Sequence, residues 1–178
     1  WRHVCLDKHH NATLEIFGKG PLMNYMKSLC EKLEISQRVN FHGYVDDLNS
    51  VFSTIDILLN TSYSEGNSNS ILEAMMFSVP VFCSDVGGSS IQVGPDGSDY
   101  VFDVNDDPLL IAKNLTSLIL DPKIREEIGQ KMRYRVEKEF SIKNVALTYL
   151  NAYNCLIENN NINKVSNLMY KSELSKYN

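Results

Sequence analysis

Ser64-Glu65-Gly66-Asn67-Ser68-Asn69-Ser70-Ile71-Leu72-Glu73-Ala74-Met75 is the stretch that decides how this chain folds. Just ahead of it, Ile55 to Leu59 is an apolar run of strand length. Inside it, Ile71 opens a second apolar run that continues to Phe77 and reads as a helix. The glycine and small polar residues between the two runs suit a loop that turns into a helix N-terminus. Such a turn presents backbone N–H groups and the positive end of the helix dipole, so it can receive a phosphate. Glu65 and Glu73 flank the turn, where each could accept hydrogen bonds from hydroxyls of the same ligand.

A diphosphate with a sugar at each end would fit this layout, and that describes a nucleotide sugar. The same residues have a plainer reading. Ser70 and Glu73 match a capping box, in which serine and glutamate satisfy the first helical N–H groups reciprocally. Glu65 is then an ordinary loop carboxylate. The rest of the chain has to separate the two.

The 178 residues suit one domain with a proper core. With 43% hydrophobic and 22% charged residues, the composition is that of a soluble globular protein. A net charge of -5 argues against nucleic acid as a partner, which calls for a basic face. No transmembrane segment is expected, because no apolar run approaches the roughly 20 residues of a bilayer-spanning helix. Trp1-Arg2-His3-Val4 has neither a start methionine nor a signal-peptide pattern, so the sequence reads as the middle of something longer. Cys5, Cys30, Cys83 and Cys155 are scattered without ligand spacing and read as free thiols of a reducing cytosol. Cys83 lies in an apolar run and should pack as a small hydrophobe. The doublet His9-His10 lacks a spaced third ligand and reads as a solvated loop, so no metal site is expected.

Elsewhere, short apolar strands alternate with helices. Leu14 to Phe17, Val39 to Phe41, Ile55 to Leu59, Val81 to Cys83 and Tyr100 to Phe102 read as strands. Residues 22 to 34 read as a helix with Leu22, Met26, Leu29, Cys30 and Leu33 on one face. A short helix is expected over 46 to 53. Another, over 69 to 78, is apolar nearly all round and should be buried. This is the pattern of an α/β, Rossmann-like parallel sheet with helices on both faces. From Pro108 the character changes to three extra C-terminal helices, near 107 to 120, 122 to 139 and 142 to 158. Residues 1 to 158 are expected to form one domain, and 159 to 178 a polar C-terminal tail with partial order.

In such a sheet, ligands bind beyond the C-terminal ends of the strands. The suggestive loops all fall there: Gly18-Lys19-Gly20-Pro21, His42-Gly43-Tyr44-Val45-Asp46-Asp47, Ser62 to Asn69, and Asp85-Val86-Gly87-Gly88. Each glycine alone could be a turn residue. Four such loops on one rim are harder to dismiss.

These segments carry a resemblance. The chain resembles the C-terminal, donor-binding domain of GT-B-fold retaining glycosyltransferases, in particular the bacterial sugar transferases called family 4. The likeness covers most of the chain. It runs through Gly18-Lys19-Gly20-Pro21, Val39-Asn40-Phe41-His42-Gly43-Tyr44-Val45, Ser62-Tyr63-Ser64-Glu65-Gly66 and Leu72-Glu73-Ala74-Met75. It continues with Val79-Pro80-Val81, Ser84-Asp85-Val86-Gly87-Gly88, Asp121-Pro122, Arg125, Gly129 and Phe140-Ser141.

The resemblance implies roles. Glu65 would contact hydroxyls of the transferred sugar and is the candidate catalytic residue. Gly66, Asn67, Ser68, Asn69 and Ser70 would offer the sugar and diphosphate their amides and small polar groups. Glu73 would grip the ribose diol. Tyr44 and Val45 would present backbone groups to the base, with Asp47 close by. Gly18 and Gly20 would let the backbone approach the ligand, and Lys19 would lie beside it. The donor would be UDP- or GDP-linked, and no cofactor or divalent metal is expected. The acceptor, a sugar or a lipid-linked sugar, would be held by an N-terminal domain outside this chain.

Three departures qualify the likeness. Asn67 stands where the family often has an aromatic residue, and Ile91 where it often has a glutamate. The family's first strand of this domain, with its diphosphate-binding basic residues, should precede Trp1. The chain therefore reads as most of the donor half of a two-domain enzyme, inactive on its own. The whole enzyme is expected in polysaccharide or glycoconjugate synthesis, in the cytoplasm or peripheral at the inner membrane face. A nucleotide-sugar 2-epimerase of the same fold and a non-catalytic sugar-nucleotide-binding domain are the alternatives. A dinucleotide-dependent dehydrogenase is disfavoured, since no strand is followed by G-x-G-x-x-G.

Overall fold

The computed structural model describes residues 1–159. The chain separates into two compact units, Trp1–Tyr134 and a second from Arg135 onward. The expected polar tail, but for its first residue, lies outside the described residues.

In the first unit, five strands alternate with helices, all in parallel pairing. They are β1 (Leu14–Phe17), β2 (Val39–Gly43), β3 (Leu58–Asn60), β4 (Val81–Ser84) and β5 (Val101–Phe102). The expected α/β architecture is present, but the sheet comes in two pieces. β1 pairs with β2, and separately β4 lies between β3 and β5. In the first ladder Leu14 faces Val39 and Ile16 faces Phe41, with a register shift before Phe17 meets Gly43. In the second, Leu58 faces Val81 and Cys83 faces Val101.

The central strand is the most apolar and the most enclosed. Val81, Phe82, Cys83 and Ser84 are all buried. Phe82 stacks on Phe102 at 5.2 Å between ring centroids, a geometry worth about 0.5–1.5 kcal/mol beyond the area the rings bury. Val4, Ala112, Leu115 and Leu118 close this core. Val4 comes from α1 (Arg2–Leu6), a five-residue helix with no capping side chain, which rests on α6 (Pro108–Leu120). Nothing in its sequence announced it.

Where capping chemistry is local, the element bounds match the expectation closely. Asp107 caps α6 by accepting from Leu109 N–H at 2.9 Å, with Pro108 in the first helical position. Asp121 accepts from Lys123 and Ile124 N–H, both at 3.0 Å, ahead of Pro122, which begins α7 (Pro122–Glu139). Arg125 donates to the Leu118 and Ile119 carbonyls, closing the C-terminus of α6. Gly129 lies flat on the turn before β4. A Cβ there would come within 2.9 Å of the Ser78 carbonyl carbon and closer to its oxygen. Ile128 and Met132 of α7 are buried, so this charged helix is solvated on one side only.

Other expectations shift. The strand expected over 55 to 59 begins only at Leu58; Asp56, ahead of it, is exposed and lies 3.6 Å from Arg125. The helix α2 (Met23–Lys32) buries no residue, and Leu22, Tyr25 and Leu29 are exposed. Lys27 of this helix lies over the Phe41 ring of β2, 5.6 Å from its centroid. The helix α4 (Asn69–Met76) buries Ile71, Ala74 and Met75 but leaves Met76 partly exposed, so it is enclosed on one face; Phe77, just past its end, stacks on the buried Phe52. His9 is solvated, whereas the Nε2 of His10 is buried without a partner.

In the second unit, Arg135 pairs with Glu139 at 2.9 Å and lies over the Phe140 ring. Ser141 accepts from Asn144 N–H at the start of α8 (Ile142–Asn159). Tyr149 and Tyr153 stack along that helix.

Candidate functional site

Two groups of loops leave the C-terminal ends of the strands. The better defined follows β3 and β4. The capping-box reading of Ser70 and Glu73 does not survive. α4 begins at Asn69 with Ser68 as its N-cap residue, so Ser70 and Glu73 stand out of frame for that motif. Nor does the Ser68 side chain cap the helix; its hydroxyl meets Asn60 Nδ2 at 3.4 Å. The first N–H groups of α4 are thus left to whatever lies in front of them. Glu73 is half-buried on the next turn.

Glu65 is half-buried and held, since Ser62 Oγ donates to its Oε1 at 2.8 Å. Ser62 is fixed in turn by the buried Ser84, whose hydroxyl donates to the Ser62 carbonyl at 2.7 Å. A short helix, α5 (Ser89–Val93), missed in the sequence, follows Gly88. Ser89 closes the turn before it by donating to the Ser84 and Val86 carbonyls and accepting from Val86 N–H.

Gly87 and Gly88 lie directly beneath the Glu65–Asn67 backbone. Gly88 N–H donates to the Gly66 carbonyl at 2.8 Å. Gly87 has φ +57, and a Cβ on it would stand 2.7 Å from the Glu65 carbonyl carbon and closer to its oxygen. A Cβ on Gly88 would meet Asn67 Oδ1 at 2.6 Å and the Gly66 carbonyl oxygen at 3.0 Å. The glycine pair is therefore a floor for the carboxylate loop: at Gly87 only glycine fits the backbone above it, and at Gly88 any larger residue would have to displace the Asn67 side chain. Sequence reading noted the pair as a turn and missed its contact. Gln92 was missed entirely: it is fully buried, and its carboxamide meets both backbone groups of Ser68.

The second group follows β1 and β2. Gly18 N–H donates to the Gly43 carbonyl, so the Gly18–Gly20 and Tyr44–Asp47 loops start side by side. Gly18 has φ +118 and Gly43 φ +74, the bends that turn both chains off their strands. A Cβ on Gly43 would meet the aliphatic stem of Lys19 at 3.9 Å. Lys19, Gly20 and Tyr44 are exposed, and Val45 is half-buried. Asp47 is engaged as the N-cap of α3 (Leu48–Phe52), accepting from Asn49 N–H at 3.0 Å. Below the rim, His42 bonds Glu15 at 2.6 Å and stacks on Phe17. That bond from His42, with smaller ones from Thr13 and Asn40, holds the Glu15 carboxyl below its ordinary range.

Among the described residues, no group of three or more His, Cys, Asp or Glu side chains is placed to hold a metal ion. Nor is any helix long and apolar enough to cross a membrane. Cys83 is fully buried, and that burial, with the nearby Asp85 charge, pushes its thiol up to about 11.

The family described as Glycosyl transferases group 1 matches residues 1–135. An uncharacterized glycosyltransferase of Methanocaldococcus jannaschii is 30% identical over 154 residues, covering 85% of this chain and 39% of that protein. Sucrose-phosphate synthase of Thermosynechococcus elongatus has the same fold over 82% of this chain and 38% of its own, at 25% identity and a TM-score of 0.71. So does HepE of Anabaena, solved in complex with UDP, over 80% of this chain and 41% of its own, at 20% identity and a TM-score of 0.69. This chain spans about two-fifths of the length of these proteins.

Proposed function

The chain belongs to the glycosyl transferases group 1 family, and on that premise we propose that it is the donor-binding part of an enzyme moving a sugar from a nucleotide-sugar donor to an acceptor with retention of anomeric configuration. One observation carries the reading. Helix α4 starts with no side-chain cap, between two half-buried carboxylates, on a loop braced from below by two glycines. The uncapped N–H groups of α4 receive the diphosphate. Glu73 accepts from the ribose hydroxyls. Glu65, aimed by Ser62, accepts from hydroxyls of the transferred sugar. Tyr44 and Val45 meet the base. Electrostatic stabilisation of the departing diphosphate is then the main catalytic contribution of these residues.

UDP is the first nucleotide to try, because HepE of the same fold was solved with it. A UDP- or GDP-linked donor, a sugar or lipid-linked acceptor held by a separate domain, and polysaccharide or glycoconjugate assembly at the cytoplasmic side complete the proposal. No divalent metal takes part in this reading, so transfer by the full-length enzyme should be unchanged in chelator.

The test is an NMR titration of this chain and of the full-length protein with UDP, GDP, ADP and their sugars. Shifts should gather on Tyr44, Val45, Glu65 to Asn69 and Glu73. In the full-length enzyme Glu73→Gln should weaken nucleotide binding about tenfold, the scale of a lost hydrogen bond to a charged group. Glu65→Gln should mainly lower kcat. Normal kinetics in both variants would defeat the assignment. Release of an altered sugar without acceptor would turn the reading to a 2-epimerase, and binding without any turnover to a non-catalytic domain.

A further inference from the structure

We infer that Gln92, on α5 and outside any ligand's reach, is the positioning residue that sets the N-terminus of α4 for donor binding. This rests on the donor reading above. Gln92 is fully buried, 24 residues along the chain from Ser68. Its Oε1 accepts from Ser68 N–H at 3.1 Å, and its Nε2 donates to the Ser68 carbonyl at 3.1 Å. A carboxamide offers a donor and an acceptor side by side in this way and stays neutral at every physiological pH, whereas a carboxyl does so only when protonated. The reciprocal pairing also fixes which end of the amide is nitrogen, since the flipped form would oppose oxygen to oxygen.

Ser68 is where the pairing matters. It is the N-cap residue of α4, and it directly follows Gly66 and Asn67. Its carbonyl also accepts the first helical bond, from Leu72 N–H at 3.3 Å. Together with the Gly88 bond to Gly66, Gln92 ties the loop to the β4–α5 segment on both sides of Asn67. The direction in which the free N–H groups of α4 point is thereby set by a side chain two elements away. Ile91 beside it is exposed, so it is Gln92 that faces inward on this short helix.

Gln92→Glu and Gln92→Met in the full-length protein test this. The charged glutamate keeps the shape but loses the donor and sets its oxygen against the Ser68 carbonyl. Protonated, it regains both bonds, and burial raises the pH at which that happens. Binding of a UDP-sugar should therefore be at least about tenfold weaker than wild type in Gln92→Glu near pH 8 and recover most of that loss near pH 5.5, a tenfold change being about 1.4 kcal/mol. Gln92→Met should lose a similar factor with no recovery. In the absence of ligand, hydrogen exchange at Ser68 N–H should speed up in Gln92→Met while exchange at Leu115 stays slow.

Wild-type affinity in both variants, or equal weakening of Gln92→Glu at both pH values, overturns the positioning role. If wild type binds no sugar nucleotide while Ser68 is protected as described, the donor reading fails and the positioning role falls with it.

Discussion

Every residue of β4 is buried between β3 and β5, whereas β1 keeps only half-buried and exposed residues and α2 beside it buries none. The loops at the two ladders differ in the same sense. After β3 and β4, the Ser62–Asn69 segment is tied down by Ser84, Gly88 and Gln92. After β1 and β2, one backbone bond joins Gly18 to Gly43, and the side chains stand mostly in solvent. The glycines put the contrast in its simplest form. Gly87 has other backbone where a Cβ would go and Gly88 has the end of the Asn67 side chain there, while Gly18 and Gly20 have open space. For a ligand reaching across both groups, the first would fix geometry and the second would adapt.

Substitution by alanine should break that contrast most visibly. Gly87→Ala combines a left-handed φ with a backbone collision, and should cost at least about 3 kcal/mol in urea unfolding. Gly18→Ala has only the φ to contend with and should cost about 1–3 kcal/mol. Gly20→Ala has neither and should stay within about 0.5 kcal/mol of wild type. Equal costs at Gly87 and Gly20 would erase the distinction between a braced loop and an open one.

Thiol chemistry sharpens it next. Cys83 on β4 is fully buried with its thiol pushed up to about 11, while Cys5 and Cys30 are only half-buried. Under native conditions an aromatic disulfide reagent should label Cys5 and Cys30 well before Cys83. Early labelling of Cys83 would mean that the second ladder opens more readily than its packing implies.

The smallest effect should come from acid. Glu15 on β1 has its folded pKa lowered by the bond from His42. Its contribution to stability is therefore full above the unfolded value of about 4.3 and is lost as pH falls through the lower folded value. The margin of wild type over Glu15→Gln, measured by urea unfolding at several pH values, should shrink on acidification below about pH 4. A constant margin would remove the His42–Glu15 bond from the account.

What could be read in the sequence follows the range of the interactions. Asp107-Pro108 and Asp121-Pro122 mark their helices because cap and proline act on neighbouring N–H groups. The Ser62–Met75 segment was legible as loop and helix for the same reason, including the helix start at Asn69; the Ser70–Glu73 capping box was not borne out. Ser68 stands at the N-cap, and its pairing with Gln92, from a helix 24 residues along the chain, is what the local sequence does not announce. The floor made by Gly87 and Gly88 and the chain from Ser84 through Ser62 to Glu65 join residues some 20 positions apart, where sequence spacing carries no signal. The division of the sheet between β1–β2 and β3–β5 was equally silent. Alternating apolar runs announce parallel strands but not which of them pair.

The 2.6 Å between Asn67 Oδ1 and a would-be Cβ on Gly88 reaches beyond this one chain. Unlike the backbone oxygen beneath Gly87, the nearest obstacle here is the end of a side chain, which can be exchanged; the Gly66 carbonyl oxygen, at 3.0 Å, would have to give only slightly. Positions 67 and 88 thus share a fixed volume. Across relatives, a residue larger than glycine at 88 should appear only with a small or outward-turned partner at 67. A library aimed at new sugar preference would have to vary the two together, since varied singly they would mostly report on the collision.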